Sequence, residues 1–223
     1  RLEPFMHTDL SFSRGRTNLH TITQAATLHA YTGPIMADYA AYTCASTIAE
    51  LAEDLTQNSA GTTELYTLTH GAFATLAHAQ HTPQRVLTRY LARAMDRSGW
   101  PLIGERCTRC GTPLTPEATA REGTAEAPGR YLAFHTAHTY GQYTVLCPKC
   151  APATDAPLTA LTAEDLAYTL AAASPNPSAW ETIDAAPRGT ADKILKLYLA
   201  TTQNLLEHPL KTLGALEAET PAK

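Results

Sequence analysis

Two short cysteine pairs, Cys107-Thr108-Arg109-Cys110 and Cys147-Pro148-Lys149-Cys150, constrain this chain more than any other feature. In each pair a two-residue spacer lets both thiolates reach one ion, and two pairs complete the tetrahedral sulfur set that Zn²⁺ prefers. The stretch between the pairs is longer than the roughly 15 to 20 residues common in such modules, so it must fold back as a loop or hairpin. One structural zinc per chain is expected at Cys107, Cys110, Cys147 and Cys150, with no open position for a catalytic water. The competing reading is a redox dithiol in one pair, or loss of the metal. His135 and His138 lie between the pairs at a ligand-like spacing and are assigned to hairpin side chains, because four thiolates already suffice. Five cysteines are too few for a secreted disulfide scaffold, which points to a reducing, cytosolic compartment. The fifth, Cys44, shares a helical face with Ile48, Leu51 and Leu55 and reads as a buried small hydrophobe.

The rest of the chain divides around that module. Residues 1–30 contain two roughly alternating runs, "LEPFMHTDLSFS" and "NLHTITQAATL", flanking the Gly-containing turn "RGRT", which predicts a β-hairpin. Residues 31–100 turn helical: Leu65, Leu68, Ala72 and Leu76 share one face, and Thr82-Pro83 reads as an N-cap with Pro at the first helical position. That helix is expected to run to about Ser98 and stop at Gly99, with Pro101 beyond. Residues 101–154 hold the cysteine module, with a strand pair predicted in "RYLAFHTA" and "QYTVLC". Residues 155–223 return to helices, opened by the capping box of Thr162 and Asp165 and closed by a long helix around Ile194, Tyr198 and Leu206. The fold class is α+β: a mostly α-helical core, an N-terminal hairpin and an inserted four-Cys module. The tail "EAETPAK" is expected to be disordered.

Positive charge is concentrated rather than spread. Arg85, Arg89, Arg93 and Arg97 fall within an arc of about 120° on the Pro83 helix, bordering the arc of Leu87, Tyr90, Leu91, Ala94 and Met95. A solvated face, partly neutralised by Asp96, is the plain alternative to a binding surface. Arg106, Arg109 and Lys149 flank or sit inside the cysteine knuckles, where they either touch phosphate or offset the thiolates' charge. The net charge of −4 argues against a protein that coats nucleic acid with its whole surface, while leaving room for a local patch. His7, His20, His29, His70, His78, His81 and His208 look scattered, with no evident carboxylate or serine partner. No Gly-x-Ser-x-Gly, P-loop or dinucleotide fingerprint appears, so a non-enzymatic protein is expected. No apolar run approaches the roughly 18 residues of a membrane span, and "RLEPFM" has neither the charged nor the apolar region of a signal peptide.

In order along the chain, "RLEPF", "RGRTNLHTITQA", "RYLARAMDRSGW…CTRCG", "LCPKCA" and "YLATTQNLLEHPLKTL" resemble the bacterial RecO family of recombination mediators. They are similar to the entry and closing hairpin of that family's OB-fold, its arginine-bearing helix, its two zinc knuckles and its closing helix. The family's opening OB strands do not appear in these 223 residues, so the chain reads as entered partway. The resemblance implies a DNA-repair factor that binds single- and double-stranded DNA, anneals complementary strands, engages RecR and the tail of single-stranded-DNA-binding protein, and helps load RecA. A cytoplasmic, nucleoid-associated location follows from it. On that footing Arg85 and Arg89, beside Val86 and Tyr90, are expected to hold the acidic, hydrophobic-ended tail. Arg14, Arg16, Arg93, Arg97, Arg106, Arg109 and Lys149 are expected on DNA. A zinc-stabilised helical adaptor that binds only proteins is the other class the charge balance allows. A metal-dependent hydrolase would need a second metal with an open coordination site.

Overall fold

The computed structural model describes residues 2–15, 19–57, 62–103, 106–113, 130–134, 143–153, 157–206, 209–212 and 214–216. Arg16, His135, His138, His208 and the C-terminal tail lie outside them.

The fold is mixed, as the sequence predicts: an antiparallel strand pair, a helical body and a clustered set of four cysteines. Strands β1 (Met6–Arg14) and β2 (His20–Ala30) form the hairpin, with irregularities between His7 and Thr8 and between Ser11 and Phe12. A short helix, α1 (Thr32–Met36), leads into α2 (Tyr39–Gln57) and α3 (Thr62–Ala77). Phe5 ties the hairpin to this body, packing edge-on against Tyr42 and Phe73 at ring distances of 6.0 and 5.3 Å. Thr32 Oγ1 donates to the Pro4 carbonyl across the same joint.

Helix α4 (Pro83–Arg97) is the centre of the body and packs against α2, α3 and two later helices, α5 (Ala163–Ala173) and α7 (Arg188–Leu206). Its boundaries are written in its sequence. Pro83 takes the first helical position after Thr82, although the Thr82 hydroxyl makes no capping bond. At the other end Gly99 adopts φ +82°, which only glycine accepts without strain. That turn lets Gly99 N donate to Asp96 O and Trp100 N to Met95 O, satisfying two terminal carbonyls. Between these stops Val86, Leu87, Tyr90, Leu91, Ala94 and Met95 are buried.

Threonine fills much of the remaining interior, a polar residue in an apolar place. Thr47, Thr88, Thr169, Thr201 and Thr202 are buried, and each hydroxyl donates to the carbonyl four residues before it. The bond within the helix removes the penalty of an unpaired hydroxyl.

The cysteine module is not a separate body. Strands β3 (Arg130–Phe134) and β4 (Tyr143–Leu146) pair as predicted, and a third strand, β5 (Leu158–Leu161), covers the other edge of β3. β5, which follows residue 154, therefore shares one sheet with β3 and β4. An uncovered β3 edge would leave a row of unpaired amides and carbonyls, and the strand that pairs with it also buries Leu161. Cys107, Val145, Leu146, Cys147 and Ala151 belong to the same hydrophobic cluster as α2, α4 and α7. Directly after β5 the capping box forms as expected: Asp165 N donates to Thr162 Oγ1 and Thr162 N to Asp165 Oδ2. Asp165 is buried, and Lys193 of α7 pairs with its carboxylate while donating to Ala160 O at 2.6 Å.

Beyond α7, residues 209–212 and 214–216 return to the body. Glu50 on α2 receives them: its carboxylate accepts from Lys211 N at 2.8 Å and from the Thr212 amide and hydroxyl. Burial pushes the Glu50 carboxyl up, but the Lys211 and Thr212 bonds outweigh it and hold the group below its ordinary value of 4.5. A depressed carboxyl stabilises the fold above the unfolded value and loses that contribution as pH falls through the folded one. Undocking of the Lys211–Thr212 stretch is thus expected on acidification below 4.5, read by protease cleavage. Glu50→Ala should bring the same cleavage to neutral pH, with a stability loss of about 1.5 kcal/mol for a hydrogen-bonded, half-buried charge. Identical cleavage patterns for variant and parent would remove Glu50 from this role.

Candidate metal centre and arginine groove

Each cysteine pair is set by a tight turn of backbone. In the first, Gly111 N donates to Cys107 O at 2.9 Å and Gly111 takes φ +72°, while Cys107 N donates to Thr112 O. In the second, Cys150 N and Ala151 N both donate to Cys147 O at 3.0 Å. The two turns face one another, joined by Thr108 N on Val145 O, and the four sulfurs lie within 4.8 Å of one another. Cys110 and Cys147 Sγ are 3.7 Å apart, close to the edge of about 3.8 Å that a tetrahedron with metal–sulfur bonds of about 2.3 Å requires. Cys147 N points at Cys107 Sγ from 3.4 Å, as amides do toward ligating thiolates. Bonds from Thr112 draw the Cys110 thiol down to about 6, whereas burial and the neighbouring sulfurs push Cys150 up to about 12. Ionising all four sulfurs at such short range requires a cation among them. The set could therefore hold a metal ion. Cys44 is buried among Ala45, Ile48 and Leu51 on α2, away from this set.

The basic residues of the knuckles brace the turns. Arg106 donates to Gly111 O at 3.1 Å and Arg109 to Ala153 O at 2.6 Å, both exposed. Lys149 is exposed at the second turn. Arg14 stands exposed at the end of β1, and Arg97 is paired with Glu64.

The arginine stripe passes from interior to solvent. Arg89 is only 6% exposed, and its guanidinium donates to Ala171 O and Asn176 O, both at 3.0 Å. It also lies 5.0 Å from the centre of the Trp180 ring. Arg85 donates to the carbonyls of Asp184 and Ala186 and lies 3.6 Å from the Asp184 carboxylate. A groove of about 250 Å³ runs between α3, α4 and the Pro175–Trp180 segment. Val86, Arg89, Tyr90 and Arg93 line it together with Leu68 and Trp180. Of the four residues expected to grip an acidic tail, three are in the groove and Arg85 is not. Arg93, expected on phosphate, is there instead. Burial, then the neighbouring Arg97, lowers the Arg93 guanidinium from its ordinary value, and the residue stays a cation. None of the ion pairs among the described residues uses it.

Along the chain these parts follow one another as an arginine-bearing helix, a knuckle, a sheet, a second knuckle and closing helices. The family model described as "Recombination protein O C terminal" matches residues 36–214. The chain belongs to the RecO family. RecO membership gives it a role in DNA repair and recombination, among proteins that bind DNA and recombination partners. The stretch matched to RecO takes in α2 to α7, both knuckles and the whole groove, and begins after the hairpin. No helix among the described residues is long and apolar enough to cross a membrane.

Two histidine groups in this RecO chain correct the reading of scattered, unpartnered histidines. His81 Nδ1 is 2.6 Å from Asp184 Oδ2, and its ring stacks on Trp180 at 3.7 Å. His7, His29 and His70 converge from β1, β2 and α3. Neither grouping has a local signature, since the partners lie 22 to 103 residues apart. The Pro175–Trp180 wall of the groove was also missed; "SPNPSAW" signals a turn but not what the turn faces.

Proposed function

We propose that the protein is a non-enzymatic recombination mediator: it binds and anneals DNA, engages RecR and the C-terminal tail of single-stranded-DNA-binding protein, and helps load RecA in the cytoplasm. Its β-hairpin is the closing part of an OB-fold, and the four cysteines hold one structural zinc. The groove on α4 carries this reading. An acidic peptide with a hydrophobic end needs a cation for its carboxylates beside an apolar socket, and the groove sets Arg93 and Arg89 next to Val86, Leu68 and Tyr90. Arg89 is committed to two carbonyls, so Arg93 is the cation available for a ligand.

Zinc supplies rigidity here rather than chemistry, since four sulfurs close its coordination. The residues for DNA are the exposed ones: Arg14 on the hairpin, Arg106, Arg109 and Lys149 on the knuckles, and Arg97 where Glu64 yields it. Arg16, in the hairpin turn, joins them by sequence alone.

The test is a pair of anisotropy titrations on Arg93→Ala. Tail-peptide affinity should fall by roughly 1.5 to 3 kcal/mol, the range for a charge-assisted hydrogen bond, while DNA affinity changes little. An unchanged peptide affinity would move the ligand out of the groove. The net charge of −4 favours a second reading, an adaptor that binds only proteins. DNA binding that weakens steeply between low and moderate salt excludes it, and no binding at low salt establishes it.

A further inference from the structure

We propose that His7, His29 and His70 form a second metal site, for a borderline divalent ion such as Zn²⁺, which clips the hairpin to the helical body. This site is separate from the four cysteines and independent of the DNA-repair reading. Its ligands come from three elements. His7 and His29 are direct partners across β1 and β2, their rings stacked 5 degrees from parallel with centroids 5.3 Å apart. His70 reaches in from α3, its ring centroid 4.2 Å from that of His7. One nitrogen from each of the three lies within 4.8 Å of the others.

The Nδ1 atoms of His7 and His29 face each other at 3.0 Å. Two imidazole nitrogens at that distance share either one proton or one cation. A tetrahedral ion with bonds of about 2.0–2.1 Å holds its nitrogens about 3.4 Å apart, so the pair needs only a few tenths of an ångström to accept it. Two of the rings also meet a tyrosine hydroxyl, and for His7 it lies on the nitrogen turned away from His29. Tyr66 Oη is 2.7 Å from His7 Nε2 and Tyr31 Oη is 3.1 Å from His70 Nε2. Such a partner on the far nitrogen fixes the tautomer and holds the ligating ring in place. When His7 Nε2–H donates to the tyrosine, its Nδ1 lone pair is left for the metal. A cavity lined by Glu3, Met6, Tyr31, His70 and Phe73 adjoins the cluster and leaves a fourth position to water or a carboxylate. Three imidazoles select zinc, copper, nickel or cobalt over magnesium and calcium, which prefer oxygen.

The position gives the ion a job. Around the cluster the hairpin meets the helical body through Phe5, Pro4 and the Tyr66 contact, while every residue of β1 and β2 stands exposed or half-exposed. An ion held by both strands and by α3 would fix the hairpin's direction on the body.

The experiment uses the full chain, purified with its cysteine site loaded. Zn²⁺ is added by calorimetry and Co²⁺ is followed by absorption, where thiolate and imidazole sites give distinct spectra. One further equivalent per chain is expected, of imidazole type, with a rise in melting temperature. His29→Asn, at an exposed strand position, and His70→Gln should each abolish the extra equivalent and the rise. His78→Gln, outside the cluster, should keep both. Tyr66→Phe, a positioning change, should weaken binding roughly 10- to 100-fold without removing it. If His70→Gln does not fold, His29→Asn alone carries the test. No equivalent beyond the cysteine site, or one that survives His29→Asn, would leave only a hydrogen-bonded histidine cluster and overturn the proposal.

Discussion

Changing Cys107 and Cys147 together to serine is expected to leave the four-sulfur site unable to hold a metal ion and to unfold the knuckle module. Each replaced residue is buried, and each anchors the turn that presents its partner, so no single knuckle survives the double change. Structural zinc in small modules is worth about 10 kcal/mol or more of apparent folding free energy. Few interactions in the rest of the chain approach that. The damage will not stop at residue 154, because β5 pairs with β3 and Leu161 lies in the common core. Trypsin should gain cuts at Arg106, Arg109 and Lys149, and helical circular dichroism should fall modestly. Metal analysis gives the decisive number: equal metal in parent and variant would show that the four sulfurs are not the ligands.

Arg89→Met is expected to destabilise the helical body by about 2 to 3 kcal/mol, because Ala171 O and Asn176 O each lose a charged donor. For a chain of this size that is a drop of about 4–12 °C in melting temperature. Methionine matches the stem of arginine and fills the same space, so the loss reports the guanidinium rather than a cavity. Lysine should recover little, since one ammonium cannot span two carbonyls as the planar fork does. An unchanged melting temperature would mean that the two carbonyls find water or other donors. The expected loss also makes Arg89 a poor reporter for ligand binding and Arg93 the better one.

Legibility in the sequence followed the range of the interaction. Pro83, Gly99 and the Thr162–Asp165 box fix helix ends through atoms within a few residues of one another, and they could be read directly. The cysteine pairs were legible for the same reason, as was the apolar face of Leu65, Leu68, Ala72 and Leu76. Long-range meetings were not. Arg14 faces His20, and an unbroken register from there would put His7 opposite Thr27. Two irregularities each slip β2 by one residue, and His7 meets His29 instead. Nothing local announces those slips. The groove has the same history: the helix that offers Arg89 and Arg93 was evident, but its far wall comes from Trp180, on a segment with no periodic pattern. Arg85 and Arg89 share a stripe, yet their acceptors lie 82 to 101 residues later, and only the packed α5 and α6 (Ala179–Ala185) reveal which arginine is taken.

Helix α5 is held at both ends by other parts of the molecule. At its start Asp165 is locked by Thr162 and Lys193, next to the strand that covers the edge of β3. At its end the Ala171 carbonyl is held by Arg89, in the wall of the groove. Eleven helical residues span about 16 Å and bend little over that length. Mechanically this is a strut between two fittings. It joins the sheet that carries the second knuckle to the wall of the groove, two parts that lie far apart in the chain.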